Sequence, residues 1–165
     1  MNVLFLSHYY FPHIGGEEKH AERVASSMQR MGNKVTVLTE KYEYNLRTEE
    51  LKNKVKIIRF KYPQIKHLGL LYIWFWIWKN RSLITQSDIV HCHDVFIWYL
   101  PFRFLYPKKP VYTTIHGFEW DDPLSFKSIW QKRLAVKLST GAIGVGKFLE
   151  KYLKVKFDKI IYGAA

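Results

Sequence analysis

The chain has 165 residues, 48% hydrophobic and 17% aromatic, which is enough for one buried core and too apolar for a disordered segment. Its one cysteine, Cys92, excludes an internal disulfide and suits a reducing compartment. A net charge of +12, from 26 basic and 14 acidic side chains, favours phosphorylated substrates or anionic lipid; nucleic acid ranks last because no nucleic-acid motif accompanies the charge. Part of the excess is open to a plainer reading, surface solvation of the kind found in lysine-rich thermophilic chains.

Met1 leads straight into Val3-Leu4-Phe5-Leu6, an apolar strand with no basic leader before it, so a cytoplasmic location is expected. A loop then runs through Pro12 to Gly15-Gly16. A helix follows from about Glu17, with Ala21, Val24, Ala25 and Met28 on one face. Gly32 stops it, and Val35-Thr36-Val37-Leu38 reads as a second buried strand. This β-α-β unit places the glycines at the carboxyl end of the first strand, where amides at a helix N-terminus form an anion site.

The alternation continues. Residues 43–53 are polar and charged and read as a loop, and Val55 to Phe60 as a strand. A long apolar helix is expected over 67–84. Asp88-Ile89-Val90-His91-Cys92 reads as a short strand, 95–106 as a helix despite Pro101, and Val111 to Ile115 as a strand covered on both faces. Phe126, Ile129, Trp130, Leu134 and Leu138 step along a helix. A strand at 141–145, a short helix at 148–153 and a strand at 159–162 complete the chain. The pattern predicts an α/β fold: a Rossmann-like, doubly wound, mostly parallel sheet of six or seven strands, in one domain.

Three motifs stand in register over more than a hundred residues. They are the strand-loop-Gly15-Gly16-Glu17-helix-Gly32-strand unit, Asp88-Ile89-Val90-His91-x-His93, and Thr114-x-His116-Gly117. Together they resemble the N-terminal domain of a retaining GT-B glycosyltransferase of family 4. The resemblance implies transfer of a sugar from a nucleotide diphosphate sugar to an acceptor hydroxyl on a glycan or lipid. It also implies a second, donor-binding Rossmann-like domain, with an Arg/Lys pair and a glutamate motif, beyond a segment like Ile161-Tyr162-Gly163. Residues 1–165 would then be the acceptor-side half, inactive alone. The other reading is a free-standing, non-catalytic binding subunit that needs a partner chain for the donor site. One departure is Gly146, where the family usually carries a serine. A nicotinamide-binding domain fits less well, since the first turn lacks G-x-G-x-x-G and Glu40 is the only ribose-binding candidate.

The resemblance assigns Gly15 and Gly16 to the donor diphosphate; on the residues alone, they equally permit a tight turn with positive φ. His116 becomes the candidate catalytic residue, orienting the donor sugar, against a histidine merely satisfied at a strand end. His8, Tyr9, Glu17, His93 and Asp94 are candidate acceptor contacts, against ordinary loop and helix-end packing. His91, Cys92, His93 and Asp94 invite a metal reading, but strand alternation puts Cys92 on the face opposite the two histidines. No metal and no other cofactor is expected. The segment from Leu68 to Trp78 is too short to span a bilayer. It is expected to pack on the core, with contact to an anionic membrane surface, at the inner face, as the second reading, since three tryptophans lie near Lys66, Lys79 and Arg81.

Overall fold

The computed structural model describes residues 1–62, 68–117 and 125–162. Its first unit is β1 (Asn2–Ser7), α1 (Gly16–Arg30) and β2 (Lys34–Glu40), as the sequence predicts. Gly32 takes φ +83 just beyond α1, the left-handed conformation that ends a helix cheaply only at glycine.

The loop expected over 43–53 contains a strand, β3 (Glu49–Lys52), antiparallel to β4 (Val55–Phe60). Two residues, Asn53 and Lys54, join them at φ 50 and 62, the conformation of a two-residue hairpin turn. The strand is hard to read because it is an edge. Glu49 and Leu51 face solvent, while its charges pair with neighbours, Glu49 with Lys56 at 3.0 Å and Glu50 with the buried Arg59 at 2.9 Å across the hairpin, and Lys52 with Glu22 of α1 at 2.9 Å.

The helix expected over 67–84 is two helices, α2 (Gly69–Lys79) and α3 (Ser82–Thr85). Asn80 divides them: its backbone amide makes the last i−4 bond of α2, to the Trp76 carbonyl that its side-chain amide also meets, and the Arg81 amide turns to the Trp78 carbonyl instead. The expectations for Lys66 and His67, and for the segment end at Gly163, lie outside the described residues. The remainder matches the sequence reading: β5 (Ile89–His93), α4 (Phe96–Leu105), β6 (Val111–Ile115), α5 (Phe126–Leu138), β7 (Gly141–Val145), α6 (Phe148–Leu153) and β8 (Lys159–Ile161).

The strands form one eight-stranded sheet, ordered β3-β4-β2-β1-β5-β6-β7-β8 and parallel except for β3. Alternation divides its side chains between two layers. Val3, Phe5, Val35, Val37 and Ile57 meet Ala21 and Ala25 of α1. Leu4, Leu6, Leu38, Val90 and Cys92 meet Ile73 of α2, Tyr99 of α4, Ala135 of α5 and Leu149 of α6. Each fully buried Leu or Phe contributes about 1.5–3 kcal/mol. The result is a doubly wound α/β fold.

Candidate functional site

After β1 the chain moves outward through β2 and β4, then returns to lay β5 on the other side of β1. Connections leave the β1 and β5 ends in opposite directions, so a crevice opens at their carboxyl edge. That is where open α/β sheets bind ligands. His93 ends β5, and His116 follows β6. Gly15 and Gly16 open α1 on the same edge.

Neither of those glycines takes positive φ. Gly15 is extended, at φ −157 and ψ 173, and Gly16 is the first helical residue. The tight-turn reading is therefore corrected: the glycines matter for the space they leave. A Cβ on Gly15 would overlap the Glu18 carboxylate, which turns back to His13 Nδ1 at 2.8 Å. A Cβ on Gly16 would meet nothing within 4 Å. Gly16 faces open space at the positive end of a 15-residue helix. Gly15, Gly16, Glu17, Lys19, His20, Arg23, His116, Val145 and Tyr162 help to line a cleft of about 990 Å³.

Four histidines cluster here, His20 and His116 on the cleft wall and His91 and His93 behind it. His91 and His93 face one way, rings stacked at 4.5 Å, while Cys92 packs in the opposite layer, where burial pushes its thiol up. His91 Nε2 and Thr114 Oγ1 are 2.8 Å apart. His93 is fully enclosed, its Nδ1 3.1 Å from His116 Nε2. His20 of α1 meets the His116 ring at 4.9 Å, edge to face. Burial, with the neighbouring imidazoles, pushes His91 down to about 4. Burial, His20 and Lys132 push His116 down to about 3. Both rings are therefore neutral at pH 7.

A buried neutral histidine makes stability depend on pH. Between its folded pKa and 6.5 the unfolded chain binds the extra proton, so stability rises with pH across that window and falls as pH drops below 6.5. Each such residue contributes a slope of up to about 1.4 kcal/mol per pH unit. Thermal unfolding followed from pH 7 to 5 should show a falling Tm, and His91→Gln, which keeps a polar atom for Thr114, should flatten it. A wild-type Tm constant over that range would contradict the buried cluster.

Asp94 takes φ 55, a left-handed conformation that Asp tolerates. It accepts from the His116 amide at 2.9 Å and from Lys132 Nζ at 2.6 Å. Burial pushes its carboxyl up, and the Lys132 ammonium and that amide pull against it. Asp94 thus holds the backbone of His116.

The remaining candidates divide. Glu17 lines the cleft. His8 and Tyr9 follow β1 but lean towards β2, with His8 stacked on Tyr9 and 2.9 Å from Glu40. His93 and Asp94 lie beneath the cleft floor, with His93 fully enclosed and the Asp94 carboxylate already bonded on both oxygens. Lys132 and His20 were missed, although each left a trace. Lys132 interrupts the apolar stripe of Ile129 and Val136, and His20 sits one turn after Gly16. Gly146 takes φ +107, and a Cβ there would overlap the Phe148 ring, so a side chain at this position is strained.

Away from the cleft, α2 is two-faced. Ile73 and Ile77 are buried, and Trp74 Nε1 donates to the Ile97 carbonyl at 2.9 Å. Leu68, Leu71, Phe75 and Trp78, spaced three and four apart, form an exposed apolar stripe. Lys79 lies over Phe75 and Arg81 over Trp78. Among the described residues no helix is long and apolar enough to cross a membrane.

The sequence model of a family described as Glycosyltransferase Family 4 matches residues 14–159. The phosphatidylinositol N-acetylglucosaminyltransferase GPI3 subunit of Saccharomyces cerevisiae is 25% identical over 95 residues, covering 56% of this chain and 21% of the yeast protein. Among solved structures, sucrose-phosphate synthase from Thermosynechococcus elongatus superposes with a TM-score of 0.71 at 11% identity, over 98% of this chain and 47% of that one. An alpha-glucosyltransferase in complex with UDP gives 0.54 at 16% identity, over 99% and 42%. These neighbours share the fold, and this chain spans less than half of either.

Proposed function

The chain belongs to glycosyltransferase family 4, and from that premise we propose that it forms the acceptor-side half of a retaining hexosyltransferase that uses a nucleotide diphosphate sugar. One observation carries the reading: the open Gly16 at the α1 N-terminus and His116 line one cleft between α1 and the carboxyl ends of β6 and β7. Amides there suit the diphosphate, with Lys19 and Arg23 adding positive charge along the same wall. His116, neutral at pH 7, orients the sugar. Glu17 accepts hydrogen bonds from the acceptor. The chemistry asked of these groups is stabilisation of the departing diphosphate, the largest charge developed in the transition state. A second Rossmann-like domain supplies the rest of the donor site, and closure of the two completes it. No metal is assigned a role.

The acceptor is proposed to be lipid-linked. The apolar stripe on α2, flanked by Lys79 and Arg81, has the make-up of a helix that rests in a headgroup layer. The name of the yeast relative also specifies a phospholipid acceptor for that protein.

The test is a transfer assay on the native protein that carries this domain. UDP- and GDP-sugars are offered with acceptor lipid in anionic vesicles, and vesicle co-sedimentation is the second readout. Expected are retained anomeric configuration in the product, vesicle binding that weakens in Phe75→Ser/Trp78→Ser, and no transfer by residues 1–165 alone. Absence of transfer from every donor would overturn the enzyme reading. Activity on soluble sugars without vesicle binding would overturn the lipid one.

A further inference from the structure

His93 is the one histidine of the cluster that is both fully buried and half satisfied. Its Nδ1 lies 3.1 Å from His116 Nε2, and its Nε2 is buried with no hydrogen-bond partner among the described residues. The ring cannot easily turn to relieve this, because His91 stacks on it at 4.5 Å and Phe5 lies at 4.9 Å.

Between two neutral imidazoles, one nitrogen donates and the other accepts. If His116 donated, the proton of His93 would sit on Nε2, stranding a buried N–H without an acceptor. If His93 donates, only a lone pair is stranded. Orphaned buried N–H groups are the rarer case, and leaving a buried donor unmet costs its full desolvation. The second arrangement wins.

We propose that His93 is a positioning residue whose Nδ1–H donates to His116 Nε2, holding His116 in the tautomer with its proton on Nδ1. His116 then offers the cleft a hydrogen-bond donor and no lone pair. It can grip an oxygen of the donor sugar, but it cannot act as a base towards the acceptor hydroxyl. Asp94 fixes the His116 backbone and His93 fixes its ring, so the N–H direction is set before a ligand arrives. The low pKa of His116 keeps this arrangement neutral over the physiological range. The purpose assigned to His116 rests on the transfer reading; the tautomer does not.

Nitrogen-15 NMR of the 165-residue chain at pH 7 reads the tautomer directly. Expected are a protonated Nδ1 and a pyridine-type Nε2 at His116; the reverse pattern in the wild type would overturn the proposal. His93→Asn, whose side-chain amide reaches the same place as Nδ1, should preserve the pattern. His93→Phe should shift His116 towards Nε2–H, and an unchanged spectrum there would also count against the relay. Should His93→Phe not fold, the wild type and His93→Asn still decide. In the native enzyme, His93→Phe should lower donor kcat/KM about tenfold, with His93→Asn within about threefold. If no donor binds at all, the transfer reading fails while the spectrum stands.

Discussion

Lys132→Met should cost about 3–5 kcal/mol of folding stability and lower Tm by on the order of 10 °C. Lys132 Nζ and Asp94 Oδ1 are 2.6 Å apart, with side chains 7% and 11% exposed. Deleting one member strands the other charge away from water, which costs more than the pair contributes over an apolar replacement. Methionine keeps most of the volume, so the loss reports charge and not a cavity. The double variant Asp94→Asn/Lys132→Met should recover much of it, because the amide oxygen still accepts from the His116 N–H. A loss below about 1 kcal/mol in chemical denaturation would mean that solvent screens the pair as at a surface. Because Asp94 anchors the His116 backbone, the same variant should also lower donor affinity.

Gly16→Ala should separate binding from folding. Nothing stands within 4 Å of the added methyl, and alanine favours the helical state over glycine by up to about 1 kcal/mol. Stability should therefore hold or rise. If the diphosphate seats against the α1 N-terminus, the methyl takes its place, and donor affinity in the native enzyme should fall about tenfold or more, equivalent to roughly 1.4 kcal/mol. Calorimetric titration with the nucleoside diphosphate measures this without turnover. Unchanged affinity would remove Gly16 from the site.

Periodicity made most of the fold legible. The spacing of Ala21, Val24, Ala25 and Met28 gave α1, and runs such as Val111 to Ile115 gave strands buried on both faces. The elements misread were those whose residues do not advertise burial. Glu49–Lys52 is a charged edge strand, and the polar Lys79 to Ser82 interrupts an otherwise apolar stretch where α2 ends at Asn80. Leu68 to Trp78 is apolar at nearly every position, so its pattern does not separate two faces. Only the packed fold separates the buried Ile73 and Ile77 from the exposed Leu71, Phe75 and Trp78.

The sequence by itself determined the α/β alternation, the strand ends that carry His93 and His116, and the opposite facing of Cys92. These follow from local spacing: a period of two along a strand, of 3.6 along a helix, and from glycine at a helix end. Tertiary structure alone decided which of those residues meet. His93 reaches His116 because β5 and β6 are neighbours in register, His93 beside Thr114. Lys132 reaches Asp94 across 38 residues of chain because α5 covers that corner. Strand order and helix docking depend on the packing of the whole core, and no stretch of sequence carries that locally.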